Sequence, residues 1–190
     1  MKKYLFAFVI LSMGMGALSI FAQQAGPAGV IINHYAANNN QFVAGTIPGA
    51  DLDRIVQAGV RAPSAGNRQP WHFTVVQDLT LVKKIVPQAV NGNVLIVISA
   101  EGGGKINGAQ IIDCALAAES VYLAAQALGY GSRIYTGPID SINRSLKSDL
   151  GLPVGHSAVV LVRAGRISAG IDAVSAASSR RSANDLVTYK

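Results

Sequence analysis

The chain is poor in the residues that most directly announce a chemistry. Among 190 residues there is one cysteine, Cys114, so no internal disulfide can form and a disulfide scaffold is excluded. Cys114 stands in an apolar run, which predicts a buried, inert thiol rather than a nucleophile. Only three histidines are present, His34, His72 and His156. Their dispersal gives no metal-ligand spacing, and no serine sits in a G-x-S-x-G elbow, so neither a metal centre nor a triad hydrolase is expected. His72 is expected to face solvent or a ligand. Clustered positive charge is scarce as well. Arg180-Arg181 is the one adjacent arginine pair and Lys83-Lys84 the one adjacent lysine pair after residue 3, with no basic stripe of the kind that nucleic acid requires. The formal net charge of +6 becomes +4 once Lys2 and Lys3 are set aside, a mild balance suited to anionic small molecules or lipid head groups. Glu101-Gly102-Gly103-Gly104-Lys105 has Ile106 and Ser99 where a phosphate loop needs Ser/Thr and Gly, and is expected to be a flexible sheet-to-helix connection. Gly129-Tyr130-Gly131 lacks the third glycine of a dinucleotide fingerprint. No internal repeat is found.

What is present first is an address. Lys2-Lys3, an uncharged apolar stretch from residue 4 to 22, and small and polar residues at 22–25 read as a secretory signal peptide over 1–22, with cleavage near Ala22. About 20 apolar residues can also span a bilayer, so an uncleaved anchor is the rival reading. Gly14, Gly16, Ala17 and Ser19 weaken a permanent span, and no cysteine near the cut offers a lipidation site. The expected product is exported, periplasmic or secreted, with no stable span after cleavage.

A Gly/Pro/Ala linker over 23–29 leads into one domain over 30–190, for which half-hydrophobic composition supplies a core. Residues 30–42 are expected to begin as a short helix and dissolve at Asn38-Asn39-Asn40, since asparagine favours turns. Leu52, Ile55, Val56 and Val60 fall at helical spacing, and that helix must stop before Pro63. Phe73 and Val75 alternate as a half-exposed strand, and the unbroken run 94–98 predicts a strand covered on both faces. Leu81, Val82, Ile85 and Val86 line one side of a short helix ended by Pro87. Residues 111–128 form a helix apolar nearly all round, closed by Gly129 and expected to pack on a partner subunit as well as its own sheet. A further helix is expected to be capped by Asp140 or Ser141, with Ile142 and Leu146 inward and its end at residues 151–153. A strand over 159–162, a weakly structured Ala/Ser-rich stretch over 168–179 and an extended tail over 185–190 complete the chain.

The densest signal is Ala62-Pro63-Ser64-Ala65-Gly66-Asn67-Arg68-Gln69-Pro70-Trp71. Prolines fix φ at both ends, glycine permits a turn closed to other residues, and Ser64, Asn67 and Gln69 present short polar groups able to read the edge of a heterocycle. Read alone, each residue also suits a plain helix-stopping loop ahead of a core tryptophan. The segment, however, resembles the APS-x-x-N-x-QPW run of the nitroreductase family of flavin-mononucleotide (FMN) oxidoreductases, and the similarity continues from about Val30 to the end.

That resemblance implies an α+β fold with a central sheet flanked by helices, a homodimer, and FMN in the interface between two chains. Pro63, Ser64, Asn67 and Gln69 would meet the flavin. Thr136 and Gly137, in Tyr135-Thr136-Gly137-Pro138, would lie beside flavin N5, where a backbone N–H favours the reduced ring. Arg181 would bind the phosphate. The departure is at the N-terminus. The family's R-R-S-x-R-x-F run aligns with Ala36-Ala37-Asn38-Asn39-Asn40-Gln41-Phe42, so the arginines are replaced and Asn38 and Asn40 offer amides without charge. Each charge-assisted bond to a phosphate is worth about 1.5–3 kcal/mol. Arg68, Arg180, Arg181 and Lys190 are the candidates to make up the loss. Otherwise FMN binding is weak or another flavin replaces it. The expected activity is reduction of a small electron-poor acceptor in a ping-pong cycle, with no side chain named as acid, base or nucleophile. Export leaves the use of NADH or NADPH as donor open, because both are cytoplasmic. The alternative is a non-catalytic relative that binds a flavin or aromatic ligand without turnover, and a membrane-anchored structural protein comes third.

Overall fold

The computed structural model describes residues 36–102, 106–171 and 180–190. The expected leader and linker, His34, residues 30–35 of the segment expected to begin as a helix, Gly103–Lys105 and residues 172–179 of the Ala/Ser-rich stretch lie outside the described residues.

Four strands form one antiparallel sheet, β1 (Trp71–Val76), β2 (Val94–Glu101), β3 (Gly131–Tyr135) and β4 (His156–Gly165), in the spatial order β1-β2-β4-β3. Continuous apolar sequence puts β2 and β4 in the centre. In β2, Ile96, Ile98 and Ala100 face one core, while Leu95 and Val97 face another. The 94–98 run therefore has the two-faced burial its composition implied. β3, which its short mixed sequence did not reveal, pairs with β4 from Gly131↔Gly165 to Tyr135↔Leu161.

On the first face lie α1 (Gly49–Val60) and α3 (Gly108–Ala127), which pack on each other and on β2–β4. Leu52 and Ile55 of α1 point inward as their spacing predicted, but Val60 is exposed and Gly59 takes the inner position. A Cβ at Gly59 would run into Val121 and Phe73, so the close approach of α1 to α3 needs glycine there. α3 opens with a capping box, in which Asn107 accepts from the Gln110 N–H and the Gln110 side chain accepts from the Asn107 N–H, both at 3.0 Å. It closes with Gly129 at φ +83°, and the Gly129 and Tyr130 N–H groups bond back to Gln126 and Ala125. Cys114, Ala117, Val121 and Ala125 are buried, whereas Ile111, Ile112 and Leu116 are exposed on the outer side.

The second face is covered by α2 (Leu79–Ile85), capped by Asp78 on the Leu81 N–H, and by α4 (Ile139–Ser141), which continues as a π turn over Ile142–Leu146. Ile142 is buried and Leu146 packs against this core. The expected cap is displaced. Pro138 occupies the N-cap position, and neither Asp140 nor Ser141 caps the helix, because the fixed φ of proline already sets the first turn. Among the described residues no helix is long and apolar enough to cross a membrane.

Asn39–Gln41 forms a 3-10 turn, in keeping with the turn preference of asparagine. This segment is stitched to the far edge of the sheet: Ala37 N–H donates to Ser132 C=O, Ser168 N–H donates to Gln41 C=O, and Phe42 bridges Ile167. Just beyond it, Gly45 N–H donates to Asn91 C=O, and a Cβ at Gly92 (φ +84°) would fall inside contact distance of the Gly45 carbonyl. The tail makes a short 3-10 turn at Ala183–Asp185 before continuing, exposed, to Lys190, so it is less extended than its sequence suggested.

Candidate functional site

The polar loop folds into a left-handed turn. Backbone φ is +59° at Gly66, +54° at Asn67 and +47° at Gln69. Left-handed backbone costs a residue carrying Cβ about 1–2 kcal/mol, least for asparagine, so Gln69 in particular holds strain that its neighbours must offset. They do so locally. Ser64 Oγ accepts the Gln69 N–H at 3.0 Å, Ser64 C=O accepts the Asn67 N–H at 3.0 Å, and Gln69 Nε2 donates to Asn67 Oδ1 at 3.1 Å. Ser64, Asn67 and Gln69 thus form one hydrogen-bonded unit whose amides stand at the surface, and Pro63 leads into it, exposed.

One further bond fixes this unit to the core. Asp113 Oδ1, on the inner side of α3, accepts the Ala65 N–H at 2.9 Å. Its carboxylate is 3 % exposed, and Ala65, Arg68, Asp113 and Gln110 share a small cavity of about 100 Å3. The sequence reading missed Asp113. An acid on the inner side of an almost wholly apolar helix, next to Cys114, was the signal that could have found it. Its neighbour Cys114 is buried and its thiol is pushed up to about 12, by burial first and by the Asp113 charge second, which leaves it inert as expected.

Thr136 and Gly137 lie past the end of β3, at the opposite edge of the sheet from β1 and its loop. Three strand spacings separate the two edges, about 14 Å, and both open to the same end of the sheet. Thr136 and Gly137 are exposed, nothing approaches the open side of Gly137, and that glycine lines a separate cleft of about 380 Å3 with Lys84, Pro138, Ser141 and Leu146. A single chain therefore does not bring these two loops together.

Asn38 and Asn40 are exposed, and Arg181 lies in the exposed tail with Lys190. The charge beneath the asparagines comes from elsewhere. Arg133 of β3 donates from Nη1 to Ala37 C=O (3.3 Å) and Asn38 Oδ1 (3.5 Å). Arg163 of β4, fully buried, donates to Asn93 Oδ1 from Nη2 (2.6 Å) and Nε (2.9 Å), to Asn39 Oδ1 from Nη1 (2.9 Å) and to Gln88 C=O from Nη2 (3.3 Å). Its guanidinium stacks 3.8 Å over Phe42. Neither arginine was singled out from the sequence, although a basic residue ending the run 159–162 was visible there.

His72 and His156, far apart in sequence, meet edge to face at 5.8 Å, with Ser99 Oγ 3.3 Å from His156 Nδ1. His72 is exposed, and no group of His, Cys, Asp and Glu able to hold a metal exists among the described residues.

Comparison with known proteins agrees with this architecture. A family model described as "Nitroreductase family" matches residues 41–95 and 88–166, beginning just after the asparagines. A protein of Archaeoglobus fulgidus named "Putative NADH dehydrogenase/NAD(P)H nitroreductase" is 36% identical over 115 residues, 54% of this chain and 64% of its own length. A protein of Methanothermobacter thermautotrophicus with the same name is 32% identical over 98 residues, 48% of this chain and 51% of its own. The chain thus spans about half to two thirds of these relatives. The crystal structure of a nitroreductase with bound FMN from Bacteroides fragilis superposes with a TM-score of 0.69 at 20% identity, covering 87% of this chain and 99% of that one. A nitroreductase with bound FMN from Desulfitobacterium hafniense gives 0.69 at 20% identity, covering 86% and 97%. The α+β architecture is thereby that of these flavoproteins, and by the extent of the family match the chain belongs to the nitroreductase family.

Proposed function

We propose that the protein is an FMN-dependent oxidoreductase that reduces a small electron-poor acceptor, and that two copies assemble to complete each site. The observation that carries this reading is the strained amide turn at residues 63–69, pinned to the core by the buried Asp113 carboxylate. Strain of this kind persists where the surrounding structure over-determines it, and it clusters at ligand clamps.

The donor set suits a flavin. Asn67 and Gln69 offer both N–H and C=O, matching the alternating acceptors and donor of an isoalloxazine edge. An exposed backbone at Thr136 and Gly137 supplies a further N–H beside an open glycine. When bound, FMN would supply hydride and electron transfer. The chain's own residues bind and orient it: Ser64 and Asp113 hold the turn in shape, and Asn67 and Gln69 fix the ring's register. Backbone at Gly137 places a partial positive charge where negative charge grows on reduction.

Assembly follows from what one chain leaves open. Ile112, Ile111 and Leu116 are 61%, 48% and 41% exposed along one side of α3, and such a row is more than scattered surface apolar residues explain. Two of the loops proposed to meet the flavin lie at opposite sheet edges of a protomer, so a second copy would bring a Gly137 loop to each polar turn. The leader-like residues 1–22 support a location outside the cytoplasm, and with it an electron donor other than NADH or NADPH.

The test is a visible spectrum of the purified chain, before and after adding FMN and then a chemical reductant. A yellow protein that bleaches and is reoxidised by a nitroaromatic supports the proposal. A protein that stays colourless in excess FMN overturns it in favour of a non-catalytic relative, the reading motivated by the loss of the N-terminal arginines.

A further inference from the structure

Arg133 and Arg163 are directly opposed in the β3–β4 register, so their side chains share one face of the sheet. Like charges placed opposite each other across strands are destabilising. Arg163 is fully buried. Every acceptor around it, Asn39, Asn93, Gln88 C=O and the Tyr135 hydroxyl, is neutral. Among the described residues no carboxylate lies within ion-pair distance of either arginine. Among the described residues, then, two arginines opposed across β3 and β4 have no carboxylate partner.

The geometry also leaves a binding edge. Arg133 is half-buried and spends only Nη1, on Ala37 C=O and Asn38 Oδ1. Its Nε and Nη2, the edge whose two parallel N–H groups match a phosphate or carboxylate, make no hydrogen bond among the described residues. Asn38, exposed, stands beside it with its Oδ1 accepting from Arg133 Nη1 at 3.5 Å, and Asn40 is exposed two residues further on. The main chain carrying these asparagines is held in place by the Ala37–Ser132 and Ser168–Gln41 bonds and by the bond from Arg163 to Asn39.

We infer that Arg133, with Asn38 beside it and backed by the buried charge of Arg163, is a subsite for a phosphomonoester dianion. Two unneutralised cations favour a dianion over a monoanion, and Asn39 transmits the position of Arg163 to the surface. This rests on the flavin reading only for the carrier of the phosphate, which would be FMN itself. On this view the positive charge absent from the asparagine run is supplied by the two strands beneath it.

The test compares FMN, riboflavin and inorganic phosphate on the full chain and its Arg133→Met and Arg133→Lys variants. Flavin-fluorescence titration should show the parent preferring FMN to riboflavin at least tenfold. R133M should lower FMN affinity about tenfold and riboflavin affinity less than twofold, with R133K recovering part of the FMN loss. Inorganic phosphate should raise the melting temperature of the parent and not of R133M. Equal loss of FMN and riboflavin in R133M, or no loss, overturns the subsite while leaving the flavin reading intact. If the parent binds neither flavin, that reading falls instead, and the subsite then stands if phosphate stabilises the parent and not R133M, and falls if both respond alike.

Discussion

Replacing Asp113 with asparagine separates the loop's function from the stability of the fold. The Asp113 carboxylate is 3 % exposed and accepts one N–H, that of Ala65. Two effects oppose each other on substitution. A hydrogen bond to a charged acceptor contributes about 1.5–3 kcal/mol and a neutral one about 0.5–1.5 kcal/mol, so the clamp on the loop weakens by roughly 1–1.5 kcal/mol. Burying a carboxylate costs several kcal/mol after relaxation, and the neutral amide avoids that cost. The melting temperature of Asp113→Asn should therefore stay within about 3 °C of the parent or rise, at roughly 2–4 °C per kcal/mol for a chain of this size. Flavin affinity should fall about 5- to 10-fold, because 1.4 kcal/mol is a factor of ten and the turn at 63–69 must then be ordered at the expense of binding. Thermal melts and fluorescence titration on the same preparation give both numbers. A fall of more than about 8 °C with unchanged affinity would show that Asp113 serves the core and not the loop, and would refute this reasoning.

Cys114 should resist iodoacetamide at pH 8.5 in the folded chain and react fully in denaturant, since its thiol pKa is pushed up to about 12 by burial and the Asp113 charge; mass spectrometry of the two samples reads the difference. Tyr130→Phe should lower stability by about 1 kcal/mol in denaturant melts, because the hydroxyl donates to Asp51 Oδ2 at 2.7 Å but Asp51 is near enough to solvent to rehydrate. Gly92→Ala should cost roughly 2–5 kcal/mol, combining a left-handed backbone with overpacking against the Gly45 carbonyl; a variant as stable as the parent would mean that this crossing is looser than described.

The sequence made the sheet centre and the long helix legible because both signals are local. Unbroken apolar runs need two covered faces, and Gly129 marks the stop of the long helix, whose start at Gly108 lies three residues ahead of the expected Ile111 because Asn107 and Gln110 form a capping box there. β3 escaped because Gly131-Ser132-Arg133-Ile134-Tyr135 has neither a sustained apolar run nor clean alternation; it is a strand by virtue of pairing with β4. Val60 was misplaced because helical spacing gives a stripe without saying how close α3 comes, and Gly59 permits an approach that shifts the inner face. At the candidate site, the polar turn was visible as residues and its strain was not, since φ at Gln69 follows from bonds to Ser64 and Asn67 rather than from residue type. The roles of Asp113, Arg133 and Arg163 could not be read from the sequence for a common reason. Each acts on a segment between 48 and 124 residues away, as in the Ala65–Asp113 and Asn39–Arg163 bonds, and only the fold makes them neighbours.

The meeting of Gly45 with Gly92 has a consequence for anyone redesigning this protein. Because main chain touches main chain there, no exchange of side chains can slide the asparagine segment nearer to or farther from the sheet. Ligand preference at that end must be retuned by swapping the groups above and below a fixed rail, never by moving the rail.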